Sequence, residues 1–105
     1  GLSDDEIDYL LENDIKDVEK DLKQFCRWWE KLDEVRQRAI ADLVFNMGIT
    51  RFLTFKKTIN HLQNERFVEA GDELLNSRYA EQVGVRAERI SEMIRYGKDV
   101  IGSLL

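Results

Sequence analysis

The 105-residue sequence carries 16 basic and 21 acidic residues, for a net charge of −5, and its 43% hydrophobic and 35% charged composition is that of a folded domain rather than a disordered chain. That balance argues against a nucleic-acid-binding module and against a basic membrane-surface helix, both of which rest on an excess of Lys and Arg. No apolar run approaches the roughly 18–20 residues that span a bilayer, the lone Cys26 cannot form an internal disulfide, and the absence of proline favours helices joined by short turns.

Asp4, Asp5 and Glu6 stand where a signal peptide would be basic, and Ser3 to Glu6 has the spacing of a capping box instead. Behind it Ile7, Leu10, Leu11, Val18, Leu22 and Phe25 recur at helical spacing, which predicts one long amphipathic helix over residues 4–24. Cys26, between Phe25 and the Trp28-Trp29 pair, reads as a small buried hydrophobe, and the two tryptophans as a short helical turn. Asp33 offers the next cap. From Val35 through Ala39, Ile40, Ala41, Leu43, Val44 and Phe45 to Met47 the chain is apolar nearly all round, which predicts a helix in the centre of the core, ended by Gly48.

A turn is expected around 49–54, then helices at 55–63 and 66–76. The first buries Phe55, Ile59 and Leu62, the second Phe67, Ala70, Leu74 and Leu75. Residues 77–84 read as a short helical turn and loop. A last helix from Val85 to Tyr96 turns Ala87, Ile90, Met93 and Ile94 inward. With no internal repeat, no linker and no strand-like alternation, the expected product is one all-α domain covering residues 1–105.

Three ordered blocks carry a resemblance. They are Leu32-Asp33-Glu34-Val35-Arg36 continuing to Leu43-Val44-Phe45-Asn46-Met47-Gly48; Phe55 to Leu62 followed by Arg66-Phe67-Val68-Glu69-Ala70; and Ser77-Arg78-Tyr79, Gln82, Arg86-Ala87-Glu88-Arg89-Ile90 and Arg95-Tyr96-Gly97. In order and spacing the chain resembles the T4-type phage lysozymes, from about Leu2 to Gly97. Tyr79 departs from the family, which commonly has Trp there, and Val83-Gly84 from its Thr-Pro turn.

The resemblance implies the compact helical carboxy-terminal lobe of such an enzyme, with the long first helix joining the lobes. It implies a peptidoglycan substrate, cleaved at the β-1,4 bond between N-acetylmuramic acid and N-acetylglucosamine, and residence in the host cytoplasm before release to the cell wall. In that family the acid is a Glu of an amino-terminal helix, followed by an Asp and a Thr in or beside a Gly-rich hairpin. These 105 residues do not contain that segment, so the chain alone is expected to be catalytically silent. Glu12 and Asp21 imitate the family's Glu–Asp separation. Nine residues of helix, however, turn the chain by about 900° and separate the two by roughly 13.5 Å, whereas glycosidase pairs sit about 5–9.5 Å apart across one bond.

By position, Phe45, Asn46, Thr58 and Glu73 fall on the wall that meets substrate: Phe45 as an apolar face, Asn46 as a partner for an acetamido group, Thr58 and Glu73 on the cleft-facing surface. The alternative for each is local, with Phe45 simply core, Thr58 an ordinary surface hydroxyl and Glu73 a solvated carboxylate. Arg86 and Arg89 match arginines that face acidic residues of the family's first helix, including the catalytic acid. In isolation they are expected to be exposed or paired with Glu81, Glu88 or Glu92. His61 has no Cys or His companion and reads as a surface or cleft-edge residue. No metal or cofactor is expected. The expected partners are glycan strands and the absent amino-terminal segment, and exposed apolar surface offers a route to a homo-oligomer. A non-catalytic helical interaction or glycan-binding module, or an engineered lysozyme fragment, stays open beside the enzyme-lobe reading.

Overall fold

The computed structural model describes residues 16–98, and among these there are helices and their connections but no strand. Helix α1 occupies residues 16–25, the second half of the long helix that the periodicity predicts; the Ser3–Glu6 capping box lies outside the described residues. Val18, Leu22 and Cys26 form its buried stripe at four-residue spacing. Phe25 sits about 100° around the helix from Cys26, beyond the edge of that stripe, and is 52% exposed, against the expectation that it packs inward.

The tryptophan pair forms a 3₁₀ turn, Arg27–Lys31. A reciprocal clamp ties it to the next helix, since Trp29 Nε1 donates to the Gln37 carbonyl at 2.9 Å and Gln37 Nε2 donates to the Trp29 carbonyl at 3.2 Å. Helix α2, Glu34–Met47, starts at Asp33, whose carboxylate accepts the Arg36 amide at 3.2 Å. Ala39, Ile40, Leu43 and Val44 are buried, while Arg38, Asp42 and Asn46, again four apart, leave one polar stripe open to solvent. Gly48 stops the helix with φ +85° and ψ 154°, a backbone region that glycine alone enters readily, rather than in the left-handed helical one.

The expected turn at 49–54 contains a short helix, α3, Ile49–Phe52. Phe52 is fully buried and its ring packs against Trp28 at 6.5 Å between centroids, so tertiary burial closes a helical turn that the local sequence does not advertise. Helices α4, Lys56–Gln63, and α5, Phe67–Leu75, follow, burying Leu62 on the first and Ala70 and Leu74 on the second. Phe55, Ile59 and Phe67 are partly buried against the core. Residues 78–83, where a short helical turn and loop was expected, form a six-residue helix, α6, Arg78–Val83, capped by the Ser77 hydroxyl. Helix α7, Val85–Tyr96, ends at Gly97 in the left-handed region and buries Ala87, Ile90, Met93 and Ile94. It lies against α2, α5 and α6, so α2 and α7 form the spine from which the candidate site hangs.

Asp33 also carries a pH dependence. Partial burial pushes its carboxyl up, but the backbone and side-chain hydrogen bonds from Arg36, with that residue's charge, hold it below its ordinary value. A carboxyl lowered in the folded state stabilises fully above its unfolded pKa, and that contribution fades as pH falls through the lower, folded value. Asp33→Asn is therefore expected to lower the melting temperature at pH 7 and by progressively less as pH falls toward 2, which flattens the acid limb. An unaltered acid limb in thermal scans would contradict this.

Candidate functional site

The polar stripe of α2 ends in a three-residue relay. Asn46 Nδ2 donates to the Asp42 carbonyl at 2.7 Å and to its carboxylate at 3.3 Å, while Asn46 Oδ1 accepts Arg86 Nη1 at 2.5 Å. Asp42 thus fixes which way the amide points, and the amide in turn holds the guanidinium. All three side chains are exposed. Arg86, expected to be exposed or paired with Glu81, Glu88 or Glu92, is exposed and crosses to the end of α2, a sequence separation of 40 residues. Asp42 was not singled out from the sequence, although its position four residues before Asn46 places it one helical turn away.

Phe45, next in sequence to Asn46, points to a different surface. It is half-buried and lines a groove of about 360 Å³ with Val18 and Glu19 of α1 and Arg38, Ala41 and Asp42 of α2. Glu19 and Asp42 therefore share a groove. Both are solvent-exposed, whereas a glycosidase's general acid is ordinarily enclosed in apolar surroundings that keep it protonated near neutral pH.

Thr58 and Glu73 come together in a pocket of about 440 Å³ formed where α4 begins and α5 ends, with Thr54, Phe55, Lys56 and Lys57 on one side and Asn76 and Ser77 on the other. Thr58 is only 3% exposed, so it is neither an ordinary surface hydroxyl nor open on the cleft-facing surface, but lies beneath it. Glu73 is half-buried. The lysines beside Glu73 were not picked out from sequence, because two adjacent surface lysines carry no distinguishing pattern. Arg89, three residues along α7 from Arg86, lines a small cleft of about 120 Å³ with Val85, Glu88 and Glu92. His61 lies at the end of α4, where its Nδ1 accepts Arg66 Nε at 3.1 Å. Among the described residues no His, Cys, Asp and Glu side chains cluster to hold a metal, and no helix is long and apolar enough to cross a membrane. Burial pushes the Cys26 thiol up, away from the thiolate form that reactivity needs.

Behind the relay, the Tyr79 ring is buried and its hydroxyl has no hydrogen-bond partner among the described residues. Burial raises its pKa and the Asp42 charge raises it further, against Arg86 and Arg51. An enclosed hydroxyl without a partner costs free energy that a phenyl ring avoids. Tyr79→Phe is accordingly expected to leave chemical stability unchanged or raise it by up to about 1 kcal/mol. If denaturant melts show a loss above about 1 kcal/mol, the hydroxyl is satisfied by an ordered water and this account is wrong.

Comparison with known proteins adds an independent line. The family model described as phage lysozyme matches residues 2–92. Two curated relatives from Dictyostelium discoideum are similar: probable T4-type lysozyme 1 is 30% identical over 95 residues, covering 88% of this chain and 56% of the relative. Probable T4-type lysozyme 2 is 32% identical over 69 residues, covering 66% of this chain and 41% of the relative. The chain thus spans about half the length of the curated relatives it matches.

Proposed function

Because the chain belongs to the phage lysozyme family, we propose that these residues build one wall of a cleft in which the β-1,4 N-acetylmuramic acid–N-acetylglucosamine bonds of peptidoglycan are hydrolysed, with the reacting carboxylates supplied by polypeptide outside them. The observation that carries this reading is the Asp42–Asn46–Arg86 relay. It holds an exposed guanidinium at the junction of α2 and α7 against a neutral amide, with no carboxylate partner among the described residues.

An arginine so presented is suited to a carboxylate brought by another lobe. Its fixed charge lowers that acid's pKa while the closing of the cleft, by desolvation, raises it, and the balance sets the working range. Arg89 serves the same acidic face. Asn46 acts mainly on Arg86, since its amide donors go to Asp42; the second lone pair of Oδ1 accepts an acetamido N–H. Phe45 supplies apolar surface for the sugar. Glu73, with the exposed Lys56 and Lys57 at hand and the buried Thr58 beneath it, takes hydroxyls or the charged substituents of the glycan.

The test is clearance of a bacterial cell-wall suspension, with new reducing ends as the product readout. The chain alone is expected to be silent, and adding a polypeptide that carries the family's amino-terminal segment is expected to restore lysis. In that mixture Arg86→Ala and Asn46→Ala each lower the rate by on the order of 10-fold to 100-fold through mispositioning of the acid. Lysis by the chain alone that disappears with Glu19→Gln or Asp42→Asn would place the chemistry in the Phe45 groove and overturn the proposal.

A further inference from the structure

At the far end of the same two helices from the relay and the Thr58 pocket, a second recess of about 390 Å³ opens between the 3₁₀ turn, the start of α2 and the end of α4. Arg36, on its wall, precedes Asn46 by ten residues of α2, about 15 Å along the axis. Resting on the wall-glycan reading above, we propose that this recess is a separate carbohydrate-binding site, for an N-acetylated hexosamine unit of the same polymer, that holds the lobe to its substrate away from the cleft.

Size and lining both fit. The volume falls within the roughly 300–1,000 Å³ of small-molecule sites. Its open apolar surface comes from the half-buried Trp28 and Leu32, over Leu62, which is buried, and Phe67, whose ring the Arg36 guanidinium partly covers. A pyranose ring presents C–H groups on its faces and hydroxyls at its rim, so it needs apolar wall and amide-type partners together, and an indole suits the first requirement. The carboxamides of Gln63 and Asn64 meet the second, since an amide both donates and accepts and thereby mirrors an acetamido group. Asn64 Nδ2 is committed to Asn60, at 2.7 Å to the carbonyl and 3.0 Å to the side chain, which leaves its own Oδ1 to receive a sugar N–H or O–H.

The charges exclude the obvious rivals. Asp33 and Arg36 are occupied with each other at 2.9 Å. The side chains of Lys31 and Glu65 line the recess, and neither has an ion-pair or hydrogen-bond partner among the described residues. With two cations and two carboxylates around it, the recess has no net attraction for a phosphate or another polyanion.

Glu65 adds an independent mark. It follows the α4 cap with φ +59°, while the Arg66 amide closes back to the His61 carbonyl at 2.8 Å. That is the helix-ending position at which glycine is preferred because a side chain is strained there. A carboxylate kept at a strained position on a recess rim points to use of the side chain itself.

The experiment follows the side-chain N–H signals of the isotope-labelled 105-residue chain as chitotetraose, the peptide-free tetramer of N-acetylglucosamine, is added to millimolar levels. The Trp28 indole and the Gln63 and Asn64 amides are expected to shift saturably. The Trp29 indole, bonded to the Gln37 carbonyl, stays in place. Gln63→Ala and Glu65→Gly each weaken binding at least about fivefold, and Lys20→Ala, at an exposed position of α1 outside the recess, does not. Because Glu65→Gly relieves strain, its melting temperature stays level or rises, so its weaker binding cannot be laid to unfolding. Shifts confined to Asn46 and the Thr58 pocket, no saturable shift, wild-type affinity in both recess variants, or binding of a wall stem peptide in place of the sugar would each overturn the proposal. The two readings fail separately, since the cleft reading stands on lysis by the completed enzyme and this one on binding by the chain alone.

Discussion

Replacing Arg36 by methionine is expected to destabilise the fold by about 3 kcal/mol. Its side chain, 16% exposed, reaches from α2 to the end of α7, where Nε donates to the Ile94 carbonyl at 2.6 Å and Nη2 to the Arg95 carbonyl at 3.1 Å. The last carbonyls of a helix lack partners within it, and a cation there also meets the negative end of the helix dipole. The guanidinium carbon lies 3.7 Å from the Phe67 ring centroid, and a Cβ built on Gly97 would come within 3.1 Å of Nη1, so the group is held between an aromatic ring and a glycine.

Magnitudes separate these contributions. The ion pair with Asp33 is half in solvent and contributes at most about 1 kcal/mol. Hydrogen bonds from a charged donor contribute about 1.5–3 kcal/mol each, and losing them leaves two carbonyls to find water at a packed helix end. Arg36→Lys is expected to recover less than half of the loss, because an ammonium cannot span both carbonyls in a plane and stack on Phe67 at once. Urea melts of Arg36→Met, Arg36→Lys and Asp33→Asn give the ranking. Equal losses in Arg36→Met and Asp33→Asn would mean that the surface pair, not the helix-end capping, is what matters.

Gly71→Ala is the second large effect, with an expected loss of about 2 kcal/mol and a fall in melting temperature of roughly 8–16 °C. Helices α5 and α7 make the most extensive contact between described elements. Where they cross, the Ser91 hydroxyl donates to the Gly71 carbonyl at 2.9 Å within the buried interior. A Cβ at position 71 would meet Arg95 Cγ at 2.5 Å, Ser91 Oγ at 2.9 Å and the Ser91 carbonyl oxygen at 3.0 Å.

Alanine favours a helix over glycine by up to about 1 kcal/mol, which works in the variant's favour. Overpacking, typically about 1–3 kcal/mol, and the strained Ser91 hydrogen bond outweigh it, because the chain backbone of α7 cannot step aside as a flexible side-chain tip would. Moving Arg95 also disturbs its pairing with Asp72. A melting temperature equal to or above that of the parent in circular-dichroism scans would show that the two helices separate at little cost.

These two residues show how far a sequence alone reaches. The cap at Asp33, the extent of the α2, α4, α5 and α7 helices, the buried stripes and the family resemblance were all legible, because they depend on spacing within one element. Hydrophobic period sets a helix face, and a capping side chain acts within one turn. Asn46 and Arg86 were legible as candidates, but their joining was not, nor was the part of Asp42 in orienting them. The burial of Thr58 beside Glu73, the exposure of Phe25 and the helical turn at Ile49–Phe52 were likewise out of reach.

Each of those depends on where one element meets another. Arg36 reads in sequence as one more charge on an amphipathic helix, and Gly71 as a weak point in α5. Only the meeting of α2 and α5 with α7 makes the first a cap for a distant helix and the second the one residue small enough for the crossing. What this chain determines by local pattern is its set of helices and the faces they bury. Which side chains share a pocket, a carbonyl or a charge was decided by the packing of those faces, since contacts between residues 20 to 60 apart follow from crossing geometry that no local periodicity contains.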